Sequence, residues 1–315
     1  ARLTCCVGGY CARGTTMDRS LRTAVEDSDV EAVRLRLGEV DPSTLGAVGI
    51  GGETILHLAT QQHCRVEVLL EIVALLVEEM NEEQVSILDS KGGAAIRNLW
   101  VKQFGMRWQE FLTQSEPVAM AMMEKMTETA AMACDVGGWS AVGLACSQHS
   151  FGVVRLALDM LGDSIVADSD QDLVGNVLTS RTWAGDEEAE ATLLRMIDVM
   201  DVDLLQKSAI HARKLIAYEY PVSCLLRVLD RQRECGRDPC VADHQGNLWH
   251  TVARTGREKL LEPLAPYVDP AHLHDKTNWD KTPAELAEAT YERKGRKAYL
   301  RIAALLRPRP KAAIA

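Results

Sequence analysis

This 315-residue sequence lacks a long apolar run and a basic charge balance. Its most apolar stretch, residues 66–77, is twelve residues long and contains Glu67 and Glu71, whereas a membrane-spanning helix needs about 20 apolar residues. The formal net charge of −10 argues against a general nucleic-acid binder, because phosphate contacts need a basic face. The sequence therefore predicts no transmembrane segment and no broad affinity for nucleic acid.

Enzyme motifs and a regular cysteine pattern are also missing. The sequence has no HExxH, no glycine-rich loop followed by Lys-Ser or Lys-Thr, and no G-x-S-x-G. Its nine cysteines show no regular spacing and no secretory signal precedes them, which favours free thiols in a reducing compartment. We expect no catalytic residue, no cofactor and an intracellular location, cytoplasmic first, with a mitochondrion or plastid as the alternative.

The most informative stretch is residues 52–59, with the sequence Gly-Glu-Thr-Ile-Leu-His-Leu-Ala. Thr54 is suited to cap a helix, since its hydroxyl can accept a bond from a backbone N–H of the first turn. Leu56 and Ala59 then share one helical face. Thr-x-Leu-His-x-Ala resembles the motif of the ankyrin repeat. The resemblance implies an all-α fold, an α-solenoid of ankyrin-like helix-turn-helix repeats.

Two distant segments support a repeated unit. Six positions in residues 40–59 recur with identical spacing 228 residues later, which is hard to obtain by chance. In the second copy Pro283 follows the capping threonine, at a helical position where proline is tolerated. The matching positions are Val40, Asp41, Pro42, Leu45, Thr54 and Ala59 in the first copy, and Val268, Asp269, Pro270, Leu273, Thr282 and Ala287 in the second.

Weaker copies between these ends extend the repeat. Successive anchor residues of the first helices fall at 24, 59, 99, 145, 177, 212, 253 and 287, which indicates about eight units. The predicted organisation is an N-terminal arm over 1–17, either flexible or the remnant of a presequence, and a repeat array over 18–307. An aromatic and Met-rich insertion lies near 90–134, and a tail covers 308–315.

In ankyrin repeats the turn tips and first helices bind protein partners from the concave side, and the resemblance extends this to the present chain. It implies no partner identity. Around Leu99, Val177 and Ala212 the usual Asp-to-Gly turn is missing, so the sequence leaves the hairpin tips there undefined. The implied partner-binding residues are Gly51, Val136, His244 and Asn278 at the tips, with Trp139 and Trp279 as aromatic anchors.

The insertion near 90–134 has two interpretations. Its aromatics Trp100, Phe104, Trp108 and Phe111 share one helical face. Methionines adapt to different shapes, so the segment either forms a groove for a partner helix or packs as ordinary core, and we favour core. The methionines are Met120, Met122, Met123, Met126 and Met132.

Cys235, Cys240, His244 and His250 are residue types that zinc uses. Their C-x4-C-x3-H-x5-H spacing lacks the long interval of a zinc finger, and His250 also matches the repeat's own histidine. Thiols and a turn histidine that serve the fold are favoured, and no metal site is predicted.

The C-terminal end is strongly basic. From residue 293 onward the charge is +8 with no acid, so residues 1–292 sum to −18. The asymmetry suggests contact with RNA, anionic lipid or an acidic protein, whereas a solvated capping helix is the simpler interpretation. The basic residues are Arg293, Lys294, Arg296, Lys297, Arg301, Arg307, Arg309 and Lys311.

Two functions are consistent with these patterns. The first is a non-catalytic scaffold that binds a protein partner through the concave face of the array. The alternative is a structural subunit of a large assembly, organellar or RNA-containing, anchored partly by the basic C-terminal helix.

Overall fold

The computed structural model describes residues 16–101, 108–167, 172–178, 186–201, 208–236, 238, 246–267 and 269–307. Phe104, Cys240 and His244, which contribute to the sequence predictions, lie outside these ranges, as do the proposed arm up to residue 15 and the tail from 308. Within the described residues the secondary structure is helical, with one isolated β-bridge between Leu88 and Ala94. The predicted all-α fold class is confirmed.

Nineteen α-helices and four short 3₁₀ segments lie within the described ranges. The 3₁₀ segments are Pro42–Thr44, Glu258–Leu260, Ala265–Tyr267 and Pro270–His274. The α-helices are α1 (Arg19–Glu26), α2 (Val30–Leu37), α3 (Ile55–Thr60), α4 (Val66–Glu79), α5 (Glu82–Val85), α6 (Ala95–Val101), α7 (Trp108–Glu124), α8 (Glu128–Met132), α9 (Ala141–Gln148), α10 (Phe151–Leu161), α11 (Ser164–Ala167), α12 (Leu173–Val177), α13 (Glu187–Val199), α14 (Ser208–Ala217), α15 (Val222–Glu234), α16 (Leu248–Thr255), α17 (Leu261–Leu264), α18 (Pro283–Lys294) and α19 (Ala298–Leu306).

The chain divides into two compact parts, Ala1–Leu161 and Gly162–Ala315. In the first part the helices form four pairs: α1 with α2, α3 with α4, α6 with α7, and α9 with α10. The first helices α1, α3, α6 and α9 contact one another in that order, and the second helices α2, α4, α7 and α10 do the same. Each pair therefore packs on its neighbours in sequence, as expected of stacked repeats.

Helix α4 shows why the most apolar run of the sequence lies here. It contacts α2 and α7 on its two flanks and α3 across the pair, so most of its circumference faces other helices. Leu69, Val73 and Leu76 are buried, while Glu67 and Glu71 project into solvent. The run is a buried core helix, and each fully buried apolar side chain of this size contributes about 1.5–3 kcal/mol.

The stretch near 90–134 forms the third pair of the first part, and its described side chains favour core over a groove. Trp100 and Phe111 are buried, and so are Met122, Met123 and Met126, while Met120 and Met132 are half-buried. The side chain of Trp108 is outside the described set.

Two polar side chains tie this third pair to its neighbours. Glu116 of α7 accepts bonds from the Ser150 hydroxyl (3.0 Å) and the Gly152 N–H (2.9 Å) at the start of α10. Lys125 donates to the carbonyls of Val77, Glu78 and Met80, 2.6–3.0 Å away, at the end of α4. Both helix ends are thereby satisfied from α7 and the turn after it.

In the second part α12 pairs with α13, α14 with α15, and α18 with α19. First helices α14, α16 and α18 contact in sequence, as do second helices α13 and α15. After α16 the second helix is replaced by the short elements between 258 and 267.

All eight anchors lie in first helices. Each is at most 6% exposed: Ala24, Ala59, Leu99, Ala145, Val177, Ala212, Ala253 and Ala287. The small or apolar residue predicted at each anchor is therefore buried in the core. The predicted domain bounds remain predictions.

Candidate partner-binding surface

Four five-residue turns of the same geometry precede first helices in the described residues. They span 49–53, 89–93, 135–139 and 277–281, and we call them tip turns. In each, the N–H of the first residue donates to the carbonyl of the fifth, and that of the fourth to the carbonyl of the first, at 2.8–3.1 Å. The fourth residue has positive φ in every case and is glycine in three of them, as the left-handed region favours.

The turn at 89–93 was not expected, since the sequence prediction placed no Asp-to-Gly turn near Leu99. The prediction was wrong at this position. Asp89 Oδ1 accepts the N–H groups of Lys91 and Gly93, both at 2.8 Å. The Asp-x-x-Gly spacing is the same as in residues 135–138 and was the available signal.

In the first part, backbone bonds join successive tip turns. The N–H of Ser90 donates to the carbonyl of Gly51 at 3.0 Å, and the N–H of Val136 donates to the carbonyl of Lys91 at 3.0 Å. These bonds link the second residue of one turn to the third of the turn before it. Three tips are therefore held in one row that presents a preorganised edge.

Gly52 sits where two turns of this row meet. Its φ is +75°, and a Cβ there would lie 2.7 Å from the nitrogen of Ser90. Gly138 has the equivalent place in the last turn of the row, with φ +79°, and a Cβ there would meet no atom within 4 Å. Glycine at 52 is thus required by both backbone conformation and contact, whereas at 138 only conformation requires it.

Buried histidines join first helices to the following turn. His57 Nδ1 lies 3.3 Å from the Thr54 N–H, and its Nε2 lies 3.1 Å from the Gly93 carbonyl. His250 repeats this with the Asn247 N–H at 3.1 Å and the Lys281 carbonyl at 3.1 Å. In both cases the ring spans from a helix cap to the fifth residue of the next tip turn, which fits the neutral form protonated at Nε2.

Burial lowers the pKa of His57 and of His250, although the carbonyl that each ring contacts opposes the shift. A buried imidazole that accepts one bond and donates another is satisfied without charge. These histidines are structural groups between repeats, so His250 is accounted for without a metal.

The cap at Asn247 also sets the register of its repeat. Asn247 and His250 form the same capping box as Thr54 and His57. Val252, five residues after the cap, therefore corresponds to Ala59, one residue earlier than the alignment on Ala253 implied. Both Val252 and Ala253 are buried, which is why the anchor pattern alone did not distinguish them.

The predicted partner-binding residues fall in three groups. The first group is exposed at the second or third position of tip turns and consists of Gly51, Val136, Asn278 and Trp279. Trp139 is the fifth residue of its turn and is half-buried. His244 lies outside the described residues.

Exposed apolar side chains mark three of the four tips. Ile50 is fully exposed, Val136 is 81% exposed and Trp279 is 57% exposed. Two exposed tip residues were missed from the sequence: Ile50, which directly precedes Gly51, and Lys91 in the middle tip of the row. Ile50 is the second residue of its turn, as Val136 is, and Lys91 is the third residue of its turn. The spacing that the turns share was therefore the signal that could have identified both.

The remaining metal candidates are not assembled by the described residues. Cys235 is half-buried after α15, and no group of three or more His, Cys, Asp or Glu side chains suited to a metal occurs among the residues that the structure describes. Cys240 lies outside them.

The basic C-terminal residues lie around the turn from α18 to α19. Arg301 is paired with Glu258 at 2.8 Å, Arg307 with Glu288, and the Lys294 ammonium lies 5.6 Å from the centre of the Tyr299 ring. Arg293, Arg296 and Lys297 are exposed and form no ion pair with described residues. Arg309 and Lys311 are beyond the described chain.

Over the described ranges, no helix is both long enough and apolar enough to cross a bilayer. No protein-family model matches the chain, and no curated protein does. Among solved structures it aligns with the crystal structure of the human ASB11 ankyrin repeat domain. The alignment covers 93% of this chain and 100% of that chain, with a TM-score of 0.36 and 14% sequence identity. A TM-score of this size does not define the fold.

The fold is instead characterised by its own repeated geometry: stacked helix pairs, tip turns and histidines that bond to the next turn. These features are similar to those that the sequence motif predicted for an ankyrin-like array of helix pairs. Stacked repeats of this kind present extended surfaces that can bind other molecules.

Proposed function

We propose that this protein is a non-catalytic scaffold that binds a protein partner through its tip turns and the adjoining first helices. The observation that carries the proposal is the row of three tips at 49–53, 89–93 and 135–139. It exposes Ile50 and Val136 on a backbone fixed by hydrogen bonds.

An exposed isoleucine and an exposed valine at turn tips do nothing for the fold, since neither side chain is buried. Isolated apolar residues on a surface are common. Here, however, they occupy the same position of two turns in one bonded row, with Lys91 on the turn between them. Contact with a partner would bury both side chains without the entropic cost of ordering a loop.

The sharpest test compares exposed apolar residues of the tips with an exposed apolar residue elsewhere. Ile50→Asp and Val136→Asp would each be combined with affinity capture and quantitative mass spectrometry of the full chain. We expect loss of the same saturable partner in both variants. Met160→Asp is the matched control, because Met160 is also exposed but lies on the second helix α10.

Retention of every partner by both tip variants, or equal losses with Met160→Asp, would contradict the proposal. Thermal unfolding of each variant would be measured first, and exposed substitutions of this type should change stability by about 0.5 kcal/mol or less. Trp279→Asp tests separately whether the tip of the second part binds the same partner. The fixed-subunit alternative differs in one outcome, namely that its partners depend on residues 293–301 and not on the tips.

A further inference from the structure

Helix α19 leaves an apolar face uncovered by described residues. It buries Tyr299, Ile302, Ala303 and Leu306 against the rest of its part. On the opposite side Leu300 is 43% exposed and Leu305 is 62% exposed, and Ala304 between them is exposed as well. With Lys297 and Arg301 they follow helical spacing, so these five residues define one surface, which we call the basic-leucine face.

Positive charge surrounds one end of this face. Four exposed basic residues lie at the end of α18 and in the turn that leads into α19: Arg293, Lys294, Arg296 and Lys297. Arg301 is already paired with Glu258, so most of the uncompensated charge is at the turn. Leucines flanked by lysine and arginine suit a partner surface that is apolar in the centre and acidic at the edge.

Two of these four basic residues stabilise the fold and two do not. Arg293 and Lys294 end α18, where cations favour the helix dipole. Arg296 and Lys297 directly precede α19, at the end where the dipole is positive and cations are unfavourable, and Lys297 as its N-cap makes no capping bond through its side chain. A bound anionic group would offset that cost.

The second helices of the first part indicate what kind of surface fits here. Helix α4 buries both flanks, one against α2 and the other against α7. Helix α19 has the position of a second helix in its pair, but among the described residues it buries a single stripe and leaves Leu300 and Leu305 exposed. A helix is therefore the natural occupant, whereas a flat bilayer would reach Leu300 poorly because more than half of that side chain is covered.

We propose that the basic-leucine face docks an amphipathic helix of another protein, with leucine-like residues on its contact stripe and aspartate or glutamate along the edges. The proposal does not depend on the tip surface, since the two involve different residues.

Fluorescence anisotropy of the full chain with two labelled synthetic peptides tests this directly. One is an amphipathic helix with leucines on one face and glutamates on its flanks, and its twin carries lysines in place of the glutamates. We expect the glutamate peptide to bind and the twin to bind about tenfold more weakly or worse. Binding of the glutamate peptide should weaken as salt is raised.

Three variants locate the site. Leu305→Asp, and the double change Arg296→Glu with Lys297→Glu, should each weaken the glutamate peptide by about tenfold or more. Leu35→Asp should leave binding unchanged. Leu35 is a matched control because it is 60% exposed on α2, while its neighbours Arg34 and Arg36 are paired with glutamates.

Several results would overturn the proposal: equal binding of the two peptides, binding of neither, or a loss with Leu35→Asp as large as with Leu305→Asp. Phosphatidylserine vesicles and a poly-uridine RNA would be tested in parallel. If one of these bound through the same residues while the glutamate peptide did not, the face would be a lipid or RNA surface instead. Circular dichroism of each variant, and Leu300→Asp as a second leucine change, separate loss of binding from loss of folding.

Discussion

Residues 41–59 and 269–287 can be compared position by position. In both, an aspartate caps a 3₁₀ segment: Asp41 accepts the Ser43 N–H at 2.9 Å, and Asp269 accepts the Ala271 N–H at 2.8 Å. In both, a tip turn leads to a threonine cap and then to a buried alanine. The two segments therefore share local structure as well as sequence.

They differ at the third position of the helix. In the first copy it is His57, which is buried and bonds to the carbonyl of Gly93 in the next turn. In the second copy it is Glu285, which is exposed and, within the described part of the chain, accepts bonds from Thr282 at 2.7 and 2.9 Å. Either side chain completes the cap, but only histidine also reaches a following turn. This position thus distinguishes a helix coupled to the next repeat from one that is capped locally.

The largest effect is expected where the first copy meets its neighbour. Gly52→Ala forces an alanine into positive φ, at about 1–2 kcal/mol, and brings its methyl group against the Ser90 nitrogen. Together these should lower the free energy of unfolding by about 3 kcal/mol. Gly138→Ala, with open space around its Cβ, should lose only about 1 kcal/mol. Urea denaturation measures both.

Equal losses for the two glycine variants would mean that contact between turns contributes nothing. Hydrogen exchange gives a second readout: the amide of Ser90 should lose protection in Gly52→Ala and keep it in Gly138→Ala. The second copy already carries Asp280 at this position with φ +56°, which agrees with the absence of a described turn beyond it.

The next largest difference is expected when the side chain at the third helical position is truncated to alanine in each copy. His57→Ala removes a buried ring and leaves the Gly93 carbonyl without this partner, so we expect a loss of about 2–3 kcal/mol. Glu285→Ala removes an exposed capping side chain and should cost about 0.5–1 kcal/mol. The urea midpoints of the two variants give the comparison, and a larger loss for Glu285→Ala would reverse our assignment of roles.

Sequence patterns predicted the helix pairs well because burial of the first helices leaves a small or apolar residue at a regular interval, as at Ala59 and Ala287. They did not predict the turn at 89–93, because Ala94 follows it and has no side chain able to cap a helix. The bonds from Ser90 and Val136 to the preceding turns join backbone atoms. Backbone bonds leave no residue pattern, so only coordinates could show them.

The candidate surface was predicted in part for a related reason. Val136 and Trp279 were identified because recognisable motifs flank them. Ile50 was missed because the motif placed the tip at Gly51, the residue after it. Residue type alone also does not indicate whether a side chain is exposed. The exposed leucines of α19 were likewise not predicted, because basic residues dominate the sequence around them.

A smaller effect is expected on the pH dependence of stability, and its sign is opposite at His57 and His272. Burial lowers the folded-state pKa of His57. Its contribution is therefore complete above the unfolded value of about 6.5 and is lost as pH falls below that value. At His272, burial opposes protonation, but hydrogen bonds to Asp275 and Asp238 prevail and raise the pKa. Its contribution is present below about pH 6.5 and is lost as pH rises through the folded pKa.

Unfolding of the wild type, His57→Ala and His272→Ala at about pH 7.5 and about pH 5.5 checks both signs. The stability difference between wild type and His57→Ala should shrink at the lower pH. For His272→Ala the difference should shrink at the higher pH. A pH-independent difference for His57→Ala would show that folding does not shift the pKa of this ring, so that it contributes only by packing.

The smallest expected change is an increase in the free energy of unfolding, and it concerns α19, the helix after the second copy. Lys297→Asp places an acid at the N-terminus of α19, where the dipole favours negative charge, and should raise the free energy of unfolding by about 0.5 kcal/mol. The same substitution removes one cation from the basic-leucine face and introduces a repulsive charge. It should therefore weaken the glutamate-flanked peptide while making the protein slightly more stable. Opposite shifts in the urea midpoint and in peptide affinity would show that Lys297 serves binding at the expense of stability. A decrease in both would mean instead that Lys297 stabilises the N-terminal end of α19 in the folded protein.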